Sequence, residues 1–339
     1  MIGRSHRSIL ALLIAGVASA ACVGDGALPP NSESISFASR DAVFLDDLVA
    51  GGAIDPASAR RITGLFRLPD RDGAAPVPAA VILHSSSGPG ALESSMARAL
   101  NSAGIASLVI DSFGPRGVVR TGQDQTRVTE AAIMADAFGA LAFLSKDPRI
   151  RADRIAVIGF SKGAAVALYS ASTELTQAIT APSEPRFAAH LAYYPWCGLN
   201  LYAPRTTGAP ILIHMGENDN LVSPTQCRTL VDTIRRADSG ARIDLMLYPG
   251  ARHAFSHPAL AYMPPLTMDA QNPGRCAIVE TAPGVYRETS SNRAITHDTY
   301  RAVLADCLGH GGLVGYDSAA ADLADGRTLA FLRGILLAP

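Results

Sequence analysis

The sequence predicts a single α/β domain in which helices cover both faces of a mostly parallel, doubly wound sheet. Between residues 60 and 250, apolar runs of strand length alternate with segments of helical periodicity, a rhythm typical of parallel sheets. The run from Ala79 to Leu83 has no polar position, as expected for a strand covered on both faces. No linker or internal repeat divides this region, so one domain is expected over residues 35–339.

The composition fits such a domain. The chain has 339 residues, of which 48% are hydrophobic and 17% charged, and its formal net charge is -1. This length is sufficient to bury a large core. The near-neutral charge, without a basic run, predicts no nucleic-acid partner.

The N-terminus has the pattern of a secretory signal peptide over residues 1–20. Basic residues precede an apolar segment from Ile9 to Val17, and Ala18-Ser19-Ala20 then has the small-x-small form of a cleavage site. The apolar segment is too short to span a bilayer. We therefore expect export to the periplasm or the medium, followed by a flexible tether over residues 21–34. Lipid attachment at Cys22 and a buried N-terminal helix are the alternatives.

Within the domain, each element follows from a local pattern. Residues 35–68 form strands broken by turns, which suits an antiparallel start to the sheet. Gly104 closes a helix, and the helix over 126–145 has apolar positions at helical spacing. The predicted strands are residues 61–68, 79–84, 105–110, 155–158, 187–194, 210–216 and 241–248; the predicted helices are 91–103, 126–145 and 223–237.

The regular alternation ends after His253. Residues 256–295 are rich in Pro, Gly, Asn, Thr and Ser, which predicts an irregular excursion over one edge of the core. Helical periodicity returns over residues 297–308. A closing helix is predicted over 317–337, with a weak point at Gly326.

A candidate nucleophile follows the strand over 155–158. Gly159-Phe160-Ser161-Lys162-Gly163 has the form G-x-S-x-G, with an apolar strand before it and a small-residue helix after it. A serine on so sharp a turn requires neighbours without side chains, and the glycines meet that requirement. The helix N-terminus also favours a developing oxyanion. The alternative is a glycine-rich turn that contains a serine.

A serine nucleophile requires a base and a group that orients the base. His253 follows the last predicted strand, and Asp219 follows the strand over 210–216. Glu217 is the competing acid, and an Asx turn or helix cap is the structural alternative for Asp219. Ser161, Asp219 and His253 occur in the order nucleophile, acid, histidine that is typical of α/β-hydrolases.

The expected oxyanion hole consists of two backbone N–H groups. One belongs to Lys162, directly after the nucleophile, and the other to Ser86, or to Ser85, in the loop after the strand over 79–84. A plain polar loop is the alternative for this segment. No cofactor and no metal site is expected.

The cysteines are consistent with an oxidising compartment. Without Cys22, four cysteines remain, and an even number predicts two disulfides with three possible connectivities. Free buried thiols are the alternative. The spacing contains no C-x-x-C metal pair. The four residues are Cys197, Cys227, Cys276 and Cys307.

Several motifs together resemble the dienelactone hydrolase family of the α/β-hydrolase fold. These are the segments 81–84, 111–117, 159–163, 216–219 and 248–255, which lie within residues 60–256. The resemblance implies a parallel sheet with flanking helices, and hydrolysis of esters or lactones through an acyl-enzyme. It also implies that Cys197 and Cys227 lie at one rim of the sheet, which favours the pairs Cys197–Cys227 and Cys276–Cys307.

The sequence departs from the family pattern at two positions. The family's dienelactone-cleaving members have a cysteine where this chain has Ser161, and a glutamate where it has Ser85. These differences favour a more general serine esterase that acts on a small-molecule ester or lactone. The resemblance also makes Arg116 a candidate for binding an anionic substrate group, with helix capping or a salt bridge as its alternative role.

The leading hypothesis is therefore an exported serine esterase or lactonase. A serine peptidase of the prolyl-oligopeptidase kind shares the nucleophile motif and the order of the triad. A non-catalytic binding protein on a hydrolase scaffold is the hypothesis from a different class.

Overall fold

A mostly parallel sheet forms the centre of the computed structural model, which describes residues 28–50, 59–70 and 75–338. The predicted signal peptide and Cys22 lie outside the described residues. Along the first 250 residues the strands are β1 (Ser32–Ser39), β2 (Arg60–Arg67), β3 (Val77–Leu83), β4 (Ala106–Asp111), β5 (Ile150–Phe160), β6 (Ala189–Tyr193), β7 (Leu199–Asn200), β8 (Ile211–Gly216) and β9 (Ile243–Tyr248).

All of these strands except β7 form one eight-stranded sheet, in the order β1-β2-β4-β3-β5-β6-β8-β9. β1 pairs antiparallel with β2, and β2 pairs antiparallel with β4. Every other pair is parallel. The antiparallel start and the parallel centre are both as predicted. β3 is buried at all seven positions because it lies between helix layers.

The helices are α1 (Leu45–Ala50), α2 (Ala91–Ser102), α3 (Glu130–Leu144), α4 (Lys162–Tyr169), α5 (Thr173–Ile179), α6 (Pro224–Ala237), α7 (Tyr300–Cys307) and α8 (Ser318–Leu336). α3 begins at Glu130 because the Thr129 side chain accepts a hydrogen bond from Ala132 N. The short helices α1 and α5 were not predicted, since six or seven residues display too little periodicity.

Two sequence predictions need correction. The predicted tether over 21–34 extends too far, because β1 begins at Ser32 and pairs along its whole length with β2. The excursion over 256–295 is more regular than predicted, because it contains five short strands. The predicted closing helix is confirmed, and α8 continues through Gly326.

We call residues 256–316 the covering segment. Its strands are β10 (Leu266–Thr267), β11 (Gln271–Asn272), β12 (Ile278–Ala282), β13 (Val285–Glu288), β14 (Ala294–Ile295), β15 (Gly309–His310) and β16 (Leu313–Val314). β14, β13, β12 and β7 form a four-stranded sheet, and β10 and β11 pair with β16 and β15. The prediction failed because strands of two to five residues do not display a readable alternation.

Two disulfides cross-link the chain. Cys197–Cys227 joins the loop after β6 to α6, and Cys276–Cys307 joins two parts of the covering segment, the loop before β12 and the end of α7. Both pairs are those favoured from the sequence, and they fit an oxidising compartment. No helix among the residues that the structure describes is long and apolar enough to cross a membrane.

Candidate active site

The sharp turn between β5 and α4 carries Ser161. Its backbone has a φ of 50°, which is rare for a residue with a side chain. A Cβ atom on Gly159 would lie 2.0 Å from Gly163 O, and one on Gly163 would lie 2.6 Å from the carbonyl oxygens of Leu83 and His84. Only glycine therefore fits at both positions, as the motif predicts.

Ser161, His253 and Asp219 form a hydrogen-bonded chain. His253 Nε2 lies 2.9 Å from Ser161 Oγ, and His253 Nδ1 lies 2.7 Å from Asp219 Oδ2. Because a carboxylate only accepts, Nδ1 carries the proton and Nε2 is free to accept from the serine hydroxyl. The structure thus brings together three residues from the ends of three strands.

The carboxylate of Asp219 is fixed by its own loop. Its Oδ1 accepts hydrogen bonds from Leu221 N at 2.9 Å and Val222 N at 3.0 Å, and its side chain is fully buried. The competing acid, Glu217, is 39% exposed and faces Arg228. Asp219 therefore fits the position of the orienting acid, and Glu217 does not.

The imidazole of His253 is also held from the side. The ring of Tyr194 meets it edge to face with centroids 4.9 Å apart, and Tyr194 OH bonds to Ser256 Oγ at 3.2 Å. Tyr194 and Ala254 both have positive φ, at 45° and 59°. Strained backbone is thus concentrated around the site. Tyr194 is not among the residues predicted from the sequence, since its place at the end of β6 was its only signal.

Two backbone N–H groups next to Ser161 make no hydrogen bond within the described chain. They belong to Ser86 and Lys162, and both residues line the cavity beside Ser161. Ser85 N, in contrast, donates to Glu93 Oε1 at 3.4 Å. Of the two serines considered from the sequence, Ser86 is therefore the one with a free donor.

The side chains of these two residues meet at Gln125. Ser86 Oγ donates to Gln125 Oε1 at 3.0 Å, and Lys162 Nζ donates to the same oxygen at 3.3 Å. Lys162 Nζ also bonds to Gln125 O at 2.9 Å and to Glu130 Oε1 at 3.0 Å. Gln125 N in turn donates to Gln271 Oε1 of the covering segment at 2.8 Å. Gln125 is not among the residues predicted from the sequence, because a glutamine in a loop belongs to no motif.

Arg116 does not line the site, and the predicted substrate-binding role is wrong. Its guanidinium donates to Asp41, to both carboxylate oxygens of Asp136, and to the carbonyl oxygens of Ser112 and Arg40. All five N–H donors are therefore used. The side chain is only 7% exposed, and its two carboxylate partners raise its pKa against the effect of burial. Arg116 instead cross-links α3 to the N-terminal segment.

Other ionisable groups near the strand ends have structural partners. His84 Nε2 accepts from Ser112 N at 3.2 Å, and burial lowers the pKa of this imidazole. His214 bonds to Tyr248 OH and Thr328 Oγ1, and burial lowers its pKa to about 3. No group of three metal-ligating side chains occurs within the described ranges.

Comparison with known proteins shows the family of this chain. The sequence model of the dienelactone hydrolase family matches residues 63–272. The chain belongs to the dienelactone hydrolase family. The resemblance inferred from the motifs is thereby confirmed, and the protein is a member of a family of hydrolases.

Individual relatives are distant. A Bradyrhizobium protein named a probable 2-oxo-3-(5-oxofuran-2-ylidene)propanoate lactonase is 26% identical over 217 residues, covering 58% of this chain and 81% of its own. A dienelactone hydrolase-like promiscuous phosphotriesterase from metagenomic libraries is 18% identical, with TM-score 0.54 and coverage of 90% and 99%. The structure designated m3DLH is 17% identical, with TM-score 0.58 and the same coverage. The structural likenesses confirm the α/β-hydrolase fold.

Proposed function

We propose that this family member is an exported serine hydrolase that cleaves a carboxylic ester or lactone through an acyl-enzyme on Ser161. The observation that carries the proposal is the hydrogen-bonded chain from Ser161 Oγ through His253 to Asp219. This arrangement activates a hydroxyl that is otherwise a weak nucleophile. The lactone class is included because one relative is named a lactonase.

In the first half-reaction, Ser161 Oγ attacks the carbonyl carbon while His253 Nε2 takes the hydroxyl proton. The oxyanion lies between the N–H groups of Ser86 and Lys162. The intermediate then collapses, the C–O bond to the alcohol breaks, and the leaving oxygen takes the proton from His253. In the second half-reaction, water repeats these steps in place of the serine, which releases the acid and restores Ser161.

The test is labelling with a fluorophosphonate. We expect stoichiometric inactivation with the adduct on Ser161, and loss of ester hydrolysis by about 10³-fold or more in Ser161→Ala. Ser145→Ala, a serine at the far end of α3, serves as the matched control. Full esterase activity in Ser161→Ala would refute the mechanism. Hydrolysis of a peptide anilide but not of p-nitrophenyl esters would favour the peptidase alternative, and no turnover of either would favour a binding protein.

Export is part of the proposal and has its own test. The two disulfides support it, because such bonds persist in oxidising compartments. We expect the mature protein outside the cytoplasm to begin near Ala21. A mature N-terminus at a lipid-modified Cys22 would indicate an anchored form, and an intact N-terminus in the cytoplasm would contradict export.

A further inference from the structure

Two cavities of different size meet at Ser161. A narrow pocket of about 90 Å³ extends from Ser161 between α3, α4 and the covering segment. A wide cleft of about 390 Å³ lies on the other side, where His253 and Tyr194 form part of its wall. Ser86 and Ser161 line both, so a substrate carbonyl at Ser161 has one cavity on each side.

The direction of proton transfer assigns each cavity to one half of the substrate. The leaving oxygen must take its proton from His253 Nε2, so the alcohol lies on the side of His253. His253 lines the wide cleft and not the narrow pocket. The narrow pocket, beside the N–H groups of Ser86 and Lys162, is left for the acyl group.

We propose that the narrow pocket is an acyl site, and that the preferred substrates are esters of short, uncharged aliphatic acids with larger alcohols. This inference rests on the proposed acyl-enzyme mechanism and extends it to a substrate class.

The size of the narrow pocket limits the acyl chain. A cavity of about 150 Å³ is known to hold benzene, with its six carbon atoms. In proportion, the 90 Å³ of this pocket holds about four carbon atoms beyond the carbonyl. Its walls close around that space, since Met134 and Ala165 are buried core residues and Ile278 belongs to β12 of the covering segment. Longer chains would have to displace packed side chains.

The charges around the narrow pocket exclude an anionic acyl group. Its only lysine, Lys162, is 2% exposed, and its ammonium donates its three bonds to Gln125 and Glu130. Glu130 is 33% exposed and is the more accessible of the two charges. A carboxylate entering this pocket would meet a like charge and, among the described residues that line it, no unpaired cation.

The wide cleft, in contrast, has exposed polar and charged side chains at its rim. Its rim carries Arg120, Gln123 and Asp269, and Gln123 Nε2 bonds to Asp269 Oδ2 at 3.0 Å. All three side chains are partly or fully exposed. This cleft therefore accepts a larger alcohol that carries polar groups.

The first experiment compares two ester series. With p-nitrophenyl esters from acetyl to decanoyl, we expect kcat/KM to be highest between propionyl and pentanoyl, and to fall at least about tenfold by octanoyl. With butyrate esters of alcohols of increasing size, we expect kcat/KM not to fall as the alcohol grows. A p-nitrophenyl monosuccinate should be at least about tenfold poorer than the butyrate. An octanoyl ester as good as the butyryl ester, or a size limit in the alcohol instead, would overturn the assignment.

The second experiment changes the pocket itself. Ala165→Leu should lower the pentanoyl-to-acetyl ratio of kcat/KM by about tenfold or more, while Met134→Ala should shift the optimum to longer acyl chains. Met268→Ala, in the wall of the wide cleft, should leave the acyl ratio unchanged and alter the response to alcohol size. Ratios within one variant do not depend on the amount of folded enzyme.

Different results would reject the acyl site and the proposed function. If no ester is hydrolysed in a Ser161-dependent manner, both are rejected. If esters are hydrolysed through Ser161 but Ala165→Leu and Met134→Ala leave the acyl ratios unchanged, only the acyl site is rejected.

Discussion

At the scale of single residues, the nucleophile is held in an unfavourable backbone conformation. Ser161 has a φ of 50°, and its N–H donates to Tyr193 O at 2.9 Å at the end of the neighbouring strand. A positive φ costs a residue with a side chain on the order of 1–3 kcal/mol. The packing of β5 and α4 maintains this conformation. As a result, Ser161 Oγ faces His253 Nε2.

The strain predicts an unusual order of stability. Ser161→Gly should be about 1 kcal/mol more stable to unfolding than Ser161→Ala, because glycine accepts positive φ without a steric penalty. At Ser145, where φ is -65°, the corresponding pair should show the reverse order. Urea unfolding of the four variants measures both differences. If Ser161→Ala and Ser161→Gly had the same free energy of unfolding, the turn would be unstrained.

A second residue-scale prediction concerns Gln125, which we infer to be a positioning residue. Its Oε1 accepts hydrogen bonds from both Ser86 and Lys162, whose backbone N–H groups form the proposed oxyanion hole. Gln125→Leu should lower kcat roughly 10- to 100-fold with little change in KM, since displaced donors stabilise the transition state less.

Gln125→Glu provides the matched control, because it keeps an acceptor oxygen for both side chains and should recover most of kcat. Gln177→Leu, at an exposed position of α5 that lines neither cavity, should have little effect on kcat. Equal losses in Gln125→Leu and Gln125→Glu, or a loss in KM alone, would contradict the positioning role. Steady-state kinetics on one p-nitrophenyl ester measures all three.

At the scale of elements, the covering segment is joined to the core by different kinds of contact. β12 pairs with β7, Gln226 Nε2 of α6 donates to Cys276 O, and Gln271 Oε1 accepts from Gln125 N. A further contact places Glu280 of β12 beside Glu174 of α5. Burial, and then the neighbouring carboxylate, raise the pKa of Glu174 to about 7.

This carboxyl pair predicts a pH dependence of stability. A carboxyl whose folded pKa is raised stabilises the fold below its ordinary pKa, and that stabilisation is lost as the pH rises to the folded value. For Glu174 the loss should occur between about pH 4.5 and 7. The stability of Glu174→Gln minus that of the native protein should therefore increase across this pH range and stay constant above it.

Thermal unfolding at half-unit pH steps measures this difference. Gln177→Ala, which replaces an exposed side chain of α5 that does not titrate, is the control and should run parallel to the native protein. A difference between Glu174→Gln and the native protein that does not change with pH would contradict the raised pKa of Glu174.

At the scale of the whole molecule, strand order decides where the chemistry lies. β3, β5, β6, β8 and β9 are parallel neighbours, so the loops after them all meet at one edge of the sheet. The same neighbouring strands bury His190 in β6 and His214 in β8. Burial lowers the pKa of His190 to about 4 and that of His214 to about 3.

These two histidines predict sensitivity to acid. A histidine whose folded pKa is lowered costs stability as the pH falls below its unfolded pKa of about 6.5. Each should contribute a slope of about 1.4 kcal/mol per pH unit to the free energy of unfolding between its folded pKa and 6.5. His190→Gln should lower the slope by that amount between about pH 4 and 6.5.

The slope from urea unfolding, rather than the absolute stability, is the readout, because the substitution also changes packing. An unchanged slope in His190→Gln would show that this imidazole is protonated in the folded protein.

The sequence by itself determined the alternation of strands and helices, the nucleophile turn and the order Ser161, Asp219, His253. These features are local, since each depends on the periodicity or residue types of a few consecutive positions. The family resemblance added the disulfide pairing. Local patterns failed at α1, at α5 and in the covering segment, where β10, β11 and β12 pair with strands that are distant along the chain.

Only the tertiary structure decided the roles of Arg116, Gln125 and the two cavities. Arg116 has the same sequence context in either role. Its five hydrogen bonds to Asp41, Asp136 and backbone carbonyls leave no N–H donor to bind a substrate group. Gln125 acquires its role from partners 37 and 39 residues away. A cavity is the space between elements that are distant along the chain, so its size and charge depend on how those elements pack.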